Sequence, residues 1–322
     1  MPERRFDCVV AFRDAGLSAP DETVMQFLWQ IVDEGVLGAS RHVALGNALL
    51  MHILTTVAPA EALMQAKTVA GFIARTRGQD TPVIGNSLTL LLAGLEDVPV
   101  GDQRGFLLQR IENWNIAAAA RKQQLVASAV RHLADVRGIM AFDYSSTVSA
   151  VVIALARQNP DLVVVVPESR SITGGARYLE EFLPTGLSLR YLPDAAIEYG
   201  LGFCDAVLFG VETLRADGGF LNTIGSRMIA RLAYEDGIEV YGCTDLLKLD
   251  MRSYDGHRPD PAIRHYDGLL DGLAIEGTGR ADTRAPELEI IPPALITALL
   301  TEHGPVPAQA IWHLGRQTFG SN

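Results

Sequence analysis

The stretch "VLFGVETLRADGGFLNTIGS" runs from Val207 to Ser226. An apolar run stops at Gly210, and the acid Glu212 follows at once. A charged, glycine-rich loop leads to Asn222, which reads as the start of a helix. An acid at the end of a buried strand, facing the start of a helix, marks a ligand site. What remains open is whether the site transforms its ligand or only senses it.

Other apolar runs end in the same way. "GIMAF" (Gly138 to Phe142) is followed by Asp143, Tyr144, Ser145 and Ser146. "DLVVVVPE" (Asp161 to Glu168) is followed by Ser169 and Arg170, then Gly174 and Gly175. "LSLRYL" ends near Asp194, and "IEVYG" near Asp245 and Lys248. A guanidinium ahead of a Gly-Gly pair that opens a helix suits an anion, because helix-start N–H groups add to its charge. An ordinary surface arginine in a strand-end loop fits the same residues equally well.

These groups need a scaffold that brings strand ends together. Short continuous apolar runs alternate with helical patterns at Ser146 to Arg157, Gly175 to Phe182, about Asp194 to Gly200, and Asn222 to Glu235. That alternation predicts an α/β fold, a doubly wound Rossmann-like parallel sheet covered on both faces. In such a sheet, ligands bind outside the carboxyl ends of the strands. Residues 1–135 read instead as a helical N-terminal domain, ahead of the Rossmann-like domain at 136–322. Its apolar residues recur at three-four spacing over Asp21–Val36, Ala39–Val57 and Ala58–Thr76, with Asp21 or Glu22 as a start signal. A long helix from Asp102 to Asp135 is expected to connect the domains.

The chain has 322 residues and a net charge of −11, with no Lys/Arg-rich run. Nucleic acid is therefore not expected as the main ligand. No apolar stretch reaches membrane length, and no membrane association is expected. Cys8, Cys204 and Cys243 form no CxxC pair and read as reduced thiols of a cytoplasmic protein. GxGxxG, GxxxxGK[ST] and GxSxG are all absent. Histidines lack metal-ligand spacing, so neither metal nor cofactor is expected.

"GVETLRADGGFLNTIGS" resembles the "GAD(x)6-NG(x)3-NKIGT" signature of the initiation factor two-B alpha/beta/delta family. "PESRSITGGARYLEEF" resembles its "ESRP(x)3-GR" element, and "LRYLPDAAIEY" its "VTLIPDSA" turn. "ELEIIPPALITALLTEHG" resembles its "FDVTPPELITAIITEKG". The four segments keep the family's order from Gly138 to Gly304, and Gly38-Ala39-Ser40 resembles its "GAP/GAS" element. The resemblance implies a helical domain before a Rossmann-like one, with a ligand held between them. The family includes regulatory subunits of a translation exchange factor. It also includes methylthioribose-1-phosphate and ribose-1,5-bisphosphate isomerases, which convert an aldose 1-phosphate into a ketose using a cysteine and the aspartate of "GAD".

At those two positions this chain carries Asp143 and Glu212. Thr223 stands for the lysine of "NKIGT", and Thr81 for a phosphate-contacting arginine. Two ionisable groups in place of two others keep the means for acid–base work. The expectation is a sugar-phosphate aldose-ketose isomerase acting through Asp143 and Glu212. Substrate binding falls to Gly38, Ala39, Ser40, Ser145, Arg170, Gly174, Gly175, Asn222, Thr223 and Lys248. The alternative is a non-catalytic sugar-phosphate or nucleotide-binding regulatory protein. A homodimer or higher homo-oligomer is expected, with apolar Ile291–Leu300 as a contact.

Overall fold

The computed structural model describes residues 8–32, 39–259, 262–271, 275, 277 and 280–319. The chain divides into two compact units. One holds the residues up to Arg121 together with Leu247–Leu249. The other holds Lys122–Leu246 and the residues from Asp250 onward.

The first unit is helical. It comprises α1 (Cys8–Asp14), α2 (Glu22–Val32), α3 (Ala39–Thr56), α4 (Pro59–Arg75), the single turn α5 (Arg77–Asp80), α6 (Pro82–Leu92) and the first part of α7 (Gln103–His132). Asp21 caps α2 as its sequence position indicates, accepting the Val24 N–H at 2.8 Å. Leu49, Leu50, Ile53 and Leu54 of α3 and Ala66, Val69 and Ile73 of α4 are fully buried, as the three-four spacing requires. Leu247–Leu249 join this unit because Asn86 donates to the carbonyls of both Leu247 and Leu249 at 2.8 Å.

The division falls inside α7, ahead of the expected break at 135–136. The last turns of α7 belong with the sheet: Leu125, Ala129, Val130 and Leu133 are buried in the same core as Ile139 and Val164.

The second unit is the expected α/β domain. Its elements are β1 (Gly138–Phe142), α8 (Ser146–Gln158), β2 (Val163–Pro167), α9 (Gly174–Phe182), β3 (Ser188–Leu192), α10 (Ile197–Leu201), β4 (Ala206–Gly210), β5 (Thr213–Arg215), β6 (Phe220–Thr223), α11 (Ser226–Glu235), β7 (Glu239–Cys243), β8 (Leu249–Asp250), β9 (Ile263–His265), β10 (Arg284–Pro286), β11 (Leu288–Ile291), β12 (Ala298–Thr301), β13 (Gly304–Val306) and α12 (Ile311–Phe319). The main sheet runs β13-β12-β7-β4-β1-β2-β3. Its neighbours are parallel except β12 with β13. Valines of β2 and apolar residues of β1 and β4 are buried on both faces, so the strands read as unbroken apolar runs.

Two expectations are corrected. Asn222 does not open a helix: Asn222 and Thr223 belong to β6, which pairs antiparallel with β11 and with β5. The helix begins at Ser226, because the glycine-rich loop is a β-turn linking β5 to β6 and not a helix lead-in. Residues 291–300 are not an open apolar face. Ile291, Leu299 and Leu300 are buried within the protomer, and β12 pairs with β7. Among the described residues, no helix is long and apolar enough to cross a membrane.

Candidate active site

From β1 the chain steps outward to β2 and β3, then returns to the other side of β1 with β4, β7 and β12. The strand order therefore reverses between β1 and β4. Side connections leave opposite faces there, opening a crevice at the carboxyl ends of these two strands. Asp143 follows β1 directly, and Glu212 follows β4 by two residues. Phe142 is registered with Phe209, so the two acids follow the carboxyl ends of neighbouring strands.

Asp143 is half-buried and has a left-handed backbone, φ 59°. Its Oδ2 accepts the Thr223 hydroxyl at 2.6 Å. Thr223 is buried at the end of β6, next to buried Asn222. Asn222 Nδ2 donates to Ser226 Oγ at 3.0 Å, and Ser226 Oγ donates to the Thr223 carbonyl at 2.7 Å, which fixes the turn into α11. Glu212 is half-buried, and its N–H donates to the Leu221 carbonyl at 3.0 Å. Among the described residues its carboxylate has no hydrogen-bond or ion-pair partner. Gly210, which ends the apolar run, lets β4 approach the loop after β1: a Cβ there would lie 2.6 Å from Ser145 Cβ.

Ser145 is the N-cap of α8. Its Oγ accepts the N–H groups of Thr147 and Val148, and its own N–H donates to Tyr178 Oη at 3.1 Å.

The β2–α9 loop differs from the anion cradle expected at Gly174 and Gly175. The Gly174 N–H donates to the Ser169 carbonyl and the Gly175 N–H to the Glu168 carbonyl, so neither is open to a ligand. The glycines serve close packing instead. A Cβ on Gly174 would lie 2.9 Å from Asp143 Oδ1, and one on Gly175 would lie 2.4 Å from the Pro167 carbonyl. Arg170 is exposed, and its backbone N–H is held by Asp194 Oδ2 at 2.9 Å. Asp194 Oδ1 takes the Ser169 N–H at 2.9 Å, so this rim acid ties down the loop.

Of the other expected binding residues, Ala39 is buried at the start of α3, Ser40 is exposed beside it, and Lys248 ends a 3₁₀ turn at Leu246–Lys248. All three belong to the helical unit. Gly38 lies outside the described residues. Among the described residues there is no cluster of three or more metal-ligating side chains.

The sequence pattern of the Initiation factor 2 subunit family matches residues 42–308. The chain belongs to that family. A relative named ribose 1,5-bisphosphate isomerase, from Haloterrigena turkmenica, is 26% identical over 254 residues, covering 73% of this chain and 74% of its own length. Two solved structures share the family fold. The 5-methylthioribose 1-phosphate isomerase of Pyrococcus horikoshii OT3 aligns with a TM-score of 0.74 at 19% identity, over 93% of this chain and 88% of that one. The translation initiation factor eIF-2B of the same organism aligns with a TM-score of 0.71 at 18% identity, over 89% of this chain and 98% of that one.

Sequence reasoning missed two side chains that fix these loops. Glu289 on β11 accepts the N–H groups of Gly225 and Arg227 at 2.7 and 2.9 Å, occupying the start of α11. Glu181 on α9 accepts the Tyr144 hydroxyl at 2.6 Å. Neither has a sequence signal, since each acts on a residue distant in the chain.

Proposed function

We propose that this chain is a sugar-phosphate aldose-ketose isomerase that uses Asp143 and Glu212 as its acid–base pair. The observation that carries the reading is that both acids follow the carboxyl ends of β1 and β4, the neighbouring strands between which the strand order reverses. Relatives named as isomerases of ribose 1,5-bisphosphate and 5-methylthioribose 1-phosphate support the substrate class.

Isomerising an aldose 1-phosphate moves a hydrogen from carbon 2 to carbon 1. The 2-hydroxyl loses a proton as its oxygen becomes the ketone, and the ring oxygen gains one as the ring opens. One group must accept and one must donate. Asp143 suits the accepting role, because the Thr223 O–H bond favours a carboxylate oxygen. Glu212, whose carboxylate has no hydrogen-bond or ion-pair partner among the described residues, is left for the donating role at the ring oxygen. In this reading Asp143 and Glu212 take the accepting and donating roles in one proton exchange.

The second reading is a regulatory protein that binds such a ligand without turning it over. Its support is the loss of open amides at Gly174 and Gly175, which leaves fewer anion donors. Incubation with ribose 1-phosphate, ribose 1,5-bisphosphate and 5-methylthioribose 1-phosphate separates the two, with the C2 ketone followed by ¹³C NMR. A ketose from any of them supports the isomerase. Ligand-induced thermal stabilisation without a ketose overturns it in favour of the regulator.

A further inference from the structure

The loop that carries Asp143 is gripped along its length by one stripe of α9. Gly174, Tyr178 and Glu181 recur at helical spacing and face this loop. Gly174 lies against Asp143 Oδ1 and the Tyr144 N–H, which leave no room for a Cβ. Tyr178, fully buried, accepts the Ser145 N–H at 3.1 Å. Glu181 accepts the Tyr144 hydroxyl at 2.6 Å through Oε1 and the Ser149 hydroxyl through Oε2. Arg177 sits over the Tyr144 ring, 5.4 Å from its centre, and Tyr178 flanks the same ring at 5.4 Å.

We propose that Glu181 is a positioning residue: through Tyr144 it sets the loop that aims the Asp143 carboxylate into the crevice. A non-glycine residue with left-handed backbone persists only where its surroundings over-determine it. Asp143 has that backbone, and the groups that hold its neighbours come from α9. Both Glu181 oxygens accept O–H donors, so the side chain is held from two sides. Burial, reinforced by Glu181, pushes the Tyr144 phenol up to about 12, so it stays a donor. Glu181 itself bonds the Tyr144 and Ser149 hydroxyls, not Asp143. Its effect on catalysis runs through the geometry of Asp143.

This inference rests on Asp143 being the base, and its test separates the two claims. Glu181→Gln and Tyr144→Phe keep side-chain size while weakening the link. In a protein that turns over a pentose 1-phosphate, each should lower kcat about 10- to 100-fold with KM within about twofold, as misplacement of a reacting group does. In an Asp143→Asn background, whose asparagine tolerates left-handed backbone, neither should lower kcat further. Unchanged kcat, or an equal loss in the Asp143→Asn background, overturns the proposal. Amide hydrogen exchange at Ser145 reads the same link without turnover. It should speed up about tenfold in both variants, and unchanged exchange overturns the role of Glu181 whether or not the protein is an isomerase.

Discussion

Thr223 donates its hydroxyl proton to Asp143 Oδ2 across 2.6 Å, between residues 80 positions apart in the chain. By the family resemblance, these two positions match the lysine of "NKIGT" and the cysteine of the isomerases. The two departures meet in space as donor and acceptor.

Thr223→Val keeps the shape and removes the donor. A bond to a charged group contributes about 1.5–3 kcal/mol, so the variant should lose stability in that range by urea denaturation. Turnover should fall with it. A loss under about 0.5 kcal/mol, the scale of a neutral surface change, would show that the bond is not maintained in solution.

Glu212→Gln retains volume but removes the ionisable group that the proposed isomerase reading assigns to the ring oxygen. Its kcat should fall by about two or more orders of magnitude, with the ligand dissociation constant nearly unchanged by calorimetry. Equal turnover in the variant would remove Glu212 from the reaction.

Arg170→Ala and Gly175→Ala separate charge from packing on the β2–α9 loop. If the exposed guanidinium holds phosphate, Arg170→Ala weakens ligand binding by about 1.5–3 kcal/mol with the melting temperature unchanged. Gly175→Ala places a Cβ 2.4 Å from the Pro167 carbonyl, so stability falls first. Overpacking of this kind costs about 1–3 kcal/mol. A Gly175→Ala protein as stable as the parent would contradict the packing role.

Glu302, just after β12, takes the Leu246 N–H at 3.2 Å through Oε1, while its buried Oε2 has no hydrogen-bond partner among the described residues. Burial, and then the charge of Asp245, push its carboxyl above the usual range. An acid raised in the folded state contributes stability at pH below its unfolded value. That contribution is lost as pH rises through the folded value, because the unfolded chain then binds fewer protons. Glu302→Gln, which cannot ionise, should flatten this fall, melting above the parent at pH 8 and close to it at pH 4. Parallel melting curves across that range would place Glu302 outside the pH response.

The sequence by itself determined the alternation of apolar runs and helices, and with it the doubly wound domain. Strand burial and helix spacing are local properties, written in neighbouring residues. It also placed Asp143 and Glu212 at strand ends, since an apolar run that stops at a polar residue marks its own limit. Strand order was decided only in the tertiary structure. No local pattern says that β4 returns beside β1, yet that reversal is what puts the two acids at the ends of neighbouring strands. The partners of polar groups were also decided there. The Gly174 and Gly175 amides turn back to Ser169 and Glu168, and Asn222 joins a strand because β11, over 60 residues later, pairs with it. Hydrogen bonds and strand pairing join residues far apart in the chain, so composition and periodicity carry no record of them.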